Sequence, residues 1–379
     1  MRIPLSAPDI GEQEIQAVTE VLRSTQLSLG PRLEEFENCV AKYVGASHAV
    51  AVNSGTSGLH ACTRALGIGE GDEVIVPSFT FVAVANAVRY ERATPVFVDI
   101  EPQRLNLNPN RIEEAITART KAIIVVHTFG CPADMEEILA IARKHHLYVI
   151  EDACEALGAG YKGRKVGGLG DAGVFGFYPN KQITTGEGGV VVTQNEQLAA
   201  RIKGLRNHGR SDSDDWYQHA ELGYNYRISE LNCALGITQL RRIDAILERR
   251  EAIAKIYTEK LTGVAGLILP SVSAADCRIS WFVYVVRLAP QFSEAQRDHI
   301  VRELKSRGIG AGRYFAPIHR QPVYRTYARR APLPITESIA PRCLALPFFN
   351  RIQNDQIEEV CQSLMHLVGE IRVRARAVV

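Results

Sequence analysis

No stretch of the chain runs apolar for the roughly 20 residues that a helical bilayer crossing requires, which argues against a membrane-spanning helix. Charge of one sign is also missing. The 44 basic and 42 acidic side chains leave a formal charge of +2 with no long block of either, so the electrostatic footprint of a nucleic-acid binder is absent. Eight cysteines stand at 39, 62, 131, 154, 233, 277, 343 and 361 without a single CxxC pair, and the opening "MRIPLSAPDI" lacks the apolar core of an export signal. The expectation is a cytoplasmic protein with reduced thiols, each more at home as core filler than as nucleophile. Neither an internal repeat nor a low-complexity segment is present. What the chain does have is length and apolar content: 379 residues, 46% hydrophobic, suffice for one large core and a smaller one.

Short apolar runs alternate with amphipathic helices through the first half, the pattern of a parallel sheet covered on both faces. Residues 48–55, 72–79, 94–100, 121–130 and 147–153 read as strands, and "KAIIVV" is apolar without alternation, as a strand buried on both faces requires. Between the last two, Met135, Ile138, Leu139 and Ala142 follow the spacing of one helix face, and Asp134 and Glu137 have the spacing of a capping box. After about residue 195 helices lengthen: 229–261 is helical in period and free of proline, one long helix or two joined end to end that would link two domains. A strand at 280–288 and helices at 294–308 and 353–373 complete a smaller α/β unit, and Arg372, Arg374 and Arg376 read as a solvated tail. The expected division is a large domain over 1–240 and a smaller C-terminal α/β domain over 241–379.

Three local patterns carry chemistry, each with a plainer alternative. In "NSGTSGLHACTRALG" (53–67), Gly55, Thr56 and Ser57 open a helix after a strand. They either cap that helix or present free N–H groups and hydroxyls to a phosphate at the positive end of its dipole. Asp152 ends the strand 147–153, where it either caps the next helix or pairs with a buried cation. Lys181, in "FGFYPNKQITTGEGGVVVT" (175–193), stands between two expected buried strands and is followed by Gly186, Gly188 and Gly189. Most lysines are solvated, but one held in such a place can lose its charge and act as an amine nucleophile toward a carbonyl. A phosphate cradle, a carboxylate and a lysine at strand ends of one sheet match the three fixed points of pyridoxal 5'-phosphate (PLP).

With those residues in view, the chain resembles the DegT/DnrJ/EryC1/StrS family of PLP-dependent sugar aminotransferases, of the aspartate aminotransferase fold (fold type I). The resemblance runs from "SAPDIGEQEIQAVTEVLRS" through "GDEVIVPSFTFVAVANAV", the specific stretch 151–193 and "GYNYRISELNCALGITQL" to "RYFAPIHRQPVY". It implies a three-layer α/β/α large domain on a mostly parallel mixed sheet and a smaller C-terminal α/β domain. It implies that Lys181 is the internal aldimine lysine, that Asp152 contacts the ring nitrogen, and that Thr56 and Ser57 hold the phosphate. Phe81 falls where the family stacks an aromatic on the ring, Glu155 where many members carry Gln or His, and Asn225 where a residue reaches the phosphate of the neighbouring subunit, so that a homodimer shares its sites. Gly176 departs from the pattern, since many members have a serine there; Asn180 or water would have to replace that hydroxyl.

Because position 181 is lysine and not the histidine of the sugar-dehydrating relatives, the resemblance implies amination. The scheme is ping-pong: L-glutamate gives its amino group to PLP, leaving pyridoxamine 5'-phosphate, and a nucleotide-linked 3- or 4-ketosugar takes it up. Arg313, Tyr314, His319 and Arg320 in "GAGRYFAPIHRQP" fall in the family's sugar-nucleotide segment, where arginine suits a diphosphate. His127 and His208 are further polar candidates. Three other readings stand beside this one: amination of a cyclitol or carbocyclic ketone, a regulator, and a PLP-binding protein without turnover.

Overall fold

A computed structural model describes residues 2–210, 218–271, 276–327 and 332–376. Its strands, in chain order, are β1 (His48–Val52), β2 (Glu73–Pro77), β3 (Thr94–Val98), β4 (Thr120–Val126), β5 (Tyr148–Asp152), β6 (Gly160–Tyr161), β7 (Arg164–Lys165), β8 (Ala172–Gly176), β9 (Gly189–Thr193), β10 (Leu267–Ile268), β11 (Cys277–Arg278), β12 (Tyr284–Leu288) and β13 (Cys343–Leu346). Seven of them form one sheet in the order β1-β9-β8-β5-β4-β2-β3. β9 alone runs against its neighbours, which makes the sheet mixed. All five expected strands of the first half are present.

Alternation along each strand sends side chains to two cores, as the two-residue period demands. Ile75, Ile123 and Val125 face one side, in a core covered by α2 (Pro31–Val44) and its neighbours, while α1 (Glu12–Leu22) lies outside that core and packs on the helix Glu230–Arg241. Val74, Val76, Ile124 and Val126 face the other, under α3 (Gly55–Ala65) and α4 (Ala83–Tyr90). Helix α5 (Met135–Lys144) closes the first side and α6 (Glu196–Arg206) the second, giving the three-layer α/β/α architecture of fold type I. The capping box expected at α5 does not form: Asp134 makes no side-chain cap, and its Oδ1 instead accepts the hydroxyl of Tyr161 at 2.6 Å.

The long helical stretch is two helices, α7 (Glu230–Arg241) and α8 (Ile243–Leu261), joined at Arg242. Helix α8 serves two cores in turn. Ile243, Ile246 and Leu247 pack under the large sheet, while Ile253, Ala254, Tyr257 and Leu261 pack in a C-terminal core. That second core is built on the antiparallel sheet β10-β12-β13, with α9 (Glu294–Ser306) and α11 (Asn354–Arg376) against it and Ile3 inserted from the N-terminal segment; the short α10 (Pro334–Ile339) precedes β13. The segment read as a solvated tail is instead the last turn of α11, whose backbone is helical to Arg376; the side chains of Arg374 and Arg376 lie outside the described residues. Phe79, Leu105, Phe282, Val283 and Val285 form a smaller cluster where the two units meet, with Phe129, Tyr314 and Phe315 against it. The candidate site opens beside this cluster.

Candidate active site

The carboxyl ends of parallel strands leave side chains and helix N-termini facing one crevice, and here Val126, Asp152 and Gly176, each the last residue of its strand, line a cavity of about 600 Å³. Its phosphate-like corner is the start of α3. Ser54 is the N-cap, its Oγ accepting the Ser57 N–H at 3.1 Å, and the first-turn amides after it have no partner within the helix. Thr56 lines the cavity. Ser57 is turned away: its hydroxyl donates to Asn53 Oδ1 at 2.6 Å and lies 2.9 Å from Ser54 Oγ, so Ser54 and Thr56 present the hydroxyls that the cavity meets.

The loop between β8 and β9 carries Lys181 and must bring β9 back beneath α3. A Cβ at Gly189 would fall 2.6 Å from the Ser54 carbonyl, and Gly186 has φ +80°, so close approach and a left-handed turn account for two of the glycines that follow the lysine. The Lys181 side chain is only 15% exposed. Its Nζ lies 3.7 Å from Glu155 Oε1 and 4.1 Å from the centroid of the Phe282 ring. Glu155 Oε2 accepts the Phe129 N–H at 2.9 Å; burial pushes this carboxyl up from its ordinary range, opposed by the charge of Lys181.

Asp152 is buried at the end of β5, its Oδ1 accepting the Cys154 N–H at 3.1 Å. Burial pushes its carboxyl up too, with the hydrogen bond from Cys154 and the charge of Lys181 acting the other way. No described residue forms an ion pair with it. A buried carboxylate that faces a cavity without a cation calls for one from a ligand, since burial of an uncompensated charge is costly. Gly176 leaves room for Cys154, because a Cβ there would stand 3.2 Å from Cys154 Sγ and 3.3 Å from its Cβ.

The remaining expected residues divide. Phe81 lies on the cavity rim with 59% of its surface exposed. Arg313 and Tyr314 line the cavity, Arg313 with its Nε 2.9 Å from Asp298 Oδ1 and Tyr314 with its hydroxyl pushed up to about 12 by burial. His319 is not brought to it: the ring is buried, its Nδ1 2.6 Å from Ser78 Oγ and its Nε2 3.1 Å from Glu337 Oε1, beside a separate depression that Arg320 shares. Asn225 is exposed and off the cavity, its carbonyl 3.3 Å from Asn53 Nδ2. His127 is spent on Glu151, 2.9 Å away, and His208 does not line the cavity. Sequence reasoning missed Ser54, Cys154 and Phe282. The serine was available as the N-cap before the turn; Phe282 comes from the small cluster where the two units meet, and nothing in its local sequence points at Lys181.

A single ligand that brings a phosphate, an aldehyde and a protonatable ring nitrogen would answer the open helix end, the sequestered amine and the unpaired carboxylate at once. The fold and this cavity therefore define the class: a PLP-dependent enzyme of fold type I. Sequence comparison narrows the class: residues 8–365 match the DegT/DnrJ/EryC1/StrS aminotransferase family, and the chain belongs to it. GDP-perosamine synthase of Caulobacter vibrioides is 41% identical over 365 residues, 96% of this chain and 97% of that one. S. venezuelae DesV, solved in complex with a ketimine intermediate, superposes with a TM-score of 0.89 at 37% identity over 97% of this chain and 98% of that one. The putative sugar aminotransferase Spr1654 of Streptococcus pneumoniae, in its PMP form, has a TM-score of 0.95 at 26% identity over 99% of this chain and all (100%) of that one, and its PLP form has also been solved.

Proposed function

We propose that this aminotransferase moves an amino group from L-glutamate to a nucleotide-linked keto-deoxysugar, in two half-reactions at one site, as a homodimer. The observation that carries the reading is the pairing, in one cavity, of a sequestered Lys181 amine with the uncompensated carboxylate of Asp152. Bound PLP supplies the electron sink for the carbon that loses its proton. The chain supplies the rest. Lys181 Nζ is the one lysine amine among the cavity-lining residues, placed to take a proton from the donor's Cα and to deliver one to the acceptor carbon. Asp152 holds a positive ring nitrogen, and the start of α3 holds a dianion. Phe81 at the rim offers a ring face. Arg313 uses its Nε on Asp298, which leaves other donors of its guanidinium for a diphosphate. The sequence similarity to a GDP-sugar enzyme supports a nucleotide-linked acceptor.

The test is the absorption spectrum of the purified protein with PLP, wild type beside Lys181→Ala. A near-visible band that requires Lys181 and bleaches with L-glutamate is expected, as is its return with a nucleotide-linked ketosugar but not with the free sugar or a cyclitol ketone. A band indifferent to the substitution would overturn the role of Lys181; return with the free ketone alone would overturn the nucleotide.

A further inference from the structure

Arg250, in the middle of α8, is buried and forms no ion pair with any described residue. All three of its nitrogens are nevertheless occupied. Nε donates to the carbonyl of Trp281 at 2.7 Å, Nη2 to the carbonyl of Phe282 at 2.8 Å, and Nη1 to Asn350 Oδ1 at 2.8 Å; the guanidinium carbon lies 4.9 Å from the centroid of the Phe348 ring. Burial without a counter-ion brings the guanidinium down to about 9. An apolar side chain of similar volume would fill the same space without that desolvation cost, so the hydrogen bonds must serve something besides packing.

What they hold is a strained turn. Trp281 has φ +40°, a left-handed backbone that a bulky residue adopts only when its surroundings impose it, and with it two consecutive carbonyls converge on the one guanidinium. The same turn is tied from the other side. The Phe282 N–H donates to the Phe129 carbonyl at 3.3 Å, the Ser280 N–H to the Gly130 carbonyl at 3.0 Å, and Gln182, the neighbour of Lys181, donates from Nε2 to Ser280 Oγ at 2.9 Å and to the Glu155 carbonyl at 2.6 Å. The outcome is that the face of the Phe282 ring meets Lys181 Nζ at 4.1 Å, on the amine's flank beside Glu155.

We propose that Phe282 and Arg250 are positioning residues for Lys181: the Phe282 ring face and Glu155 form the resting place of its amine, and Arg250 fixes that ring through the carbonyls of Trp281 and Phe282. A long, flexible side chain is thereby held in the few rotamers from which its nitrogen reaches the reacting carbon. The inference rests on the reading of Lys181 as the reactive amine, and the experiment separates the two.

Protein stripped of cofactor is mixed with PLP in a stopped-flow instrument, and the rate at which the Lys181-dependent band appears is compared for wild type, Phe282→Leu, Phe282→Tyr, Arg250→Met and Arg250→Lys. The losses expected for the Leu and Met variants are about two- to fivefold in rate, with kcat falling by a similar factor, KM for L-glutamate unchanged, and Phe282→Tyr restoring the wild-type rate. Because the two residues act in series, the Leu/Met double variant should be no slower than the slower single. Arg250→Lys, which keeps the charge and loses the fork, should fall between wild type and Met. Wild-type rates in both Phe282→Leu and Arg250→Met would overturn the inference, even with a lowered melting temperature, since that is what a purely structural clamp gives. Should neither Arg250 variant fold, a wild-type rate in Phe282→Leu would overturn it alone. A wild-type protein that forms no such band would remove the reading of Lys181, and this inference with it.

Discussion

At the scale of single residues, the chemistry depends on what is left unpaired. Among the described residues Asp152 is buried with no ion-pair partner and the Lys181 amine meets a carboxylate at 3.7 Å and a ring face, so both have bonding capacity to offer a ligand. The departure at Gly176 has a neighbour at the same scale: a Cβ at 176 would stand 3.2 Å from Cys154 Sγ, a tight contact that Cys154 would have to yield to. Gly176→Ser alone is expected to weaken PLP binding through crowding, whereas Cys154→Ala with Gly176→Ser should add a hydroxyl at the cavity wall and tighten binding by about tenfold, the scale of one hydrogen bond to a charged group. Titration of cofactor-free protein with PLP measures both; a double variant no tighter than wild type would show that the serine position does not face the phosphate here. Lys181, Asp152 and Thr56, which the sequence singled out from their places at or just after strands, all line the cavity. Ser57 and His319 do not line the cavity, for different reasons: the Ser57 hydroxyl is taken by Asn53, one turn earlier in the chain, whereas His319 meets Ser78, which only folding brings to it.

At the scale of elements, the site depends on how β5 is anchored. Glu151 is buried beside Asp152 and accepts four donors, His127 Nε2 at 2.9 Å and the N–H groups of Gly167, Leu169 and Gly170 at 2.7, 2.6 and 2.7 Å. Burial raises this carboxyl, but the bonds from His127 and the two glycine amides outweigh it and hold it below its ordinary value of 4.5. A depressed folded-state value means stability that is present above pH 4.5 and lost as pH falls through the lower, native value. Glu151→Gln should therefore cost about 3–5 kcal/mol at pH 7, the range for breaking a buried charged contact, and the gap to wild type should narrow progressively as pH falls below 4.5. Melting temperatures of both proteins from pH 7 to pH 3 measure it, and a difference constant with pH would refute the charge as its origin. The strands themselves were readable from apolar runs. The α7–α8 break was left open by sequence, since an uninterrupted helical period does not show where a helix bends, and the capping box at α5 failed because Tyr161 took its aspartate.

At the scale of the whole molecule, α8 joins two cores, and Arg250 on it reaches Asn350 in the second unit and the turn beside Lys181, so the C-terminal core helps shape the catalytic cavity. Asn225 is exposed and off its own cavity, and in the proposed homodimer it would act on the second copy. If it does, mixing Lys181→Ala and Asn225→Ala subunits should regain activity: random exchange puts both native residues together in about one quarter of the sites, and amino transfer should rise above that of either variant alone. No gain on mixing would place Asn225 in its own subunit's site or outside it. Sequence alone determined the order of the strands along the chain, the burial of the sheet on both faces and the placing of Lys181 and Asp152 near strand ends, because these follow from residue type and short-range period. Only the tertiary structure decided which strand runs against the others, which hydroxyls face the cavity and which ring lies against Lys181. The strand direction and the ring depend on contacts such as Val50 with Val191 and Lys181 with Phe282, about a hundred or more positions apart, and no local pattern encodes a partner that the chain meets only once it has folded; the Ser57 hydroxyl is turned by the nearby Asn53, a choice that residue type alone does not make.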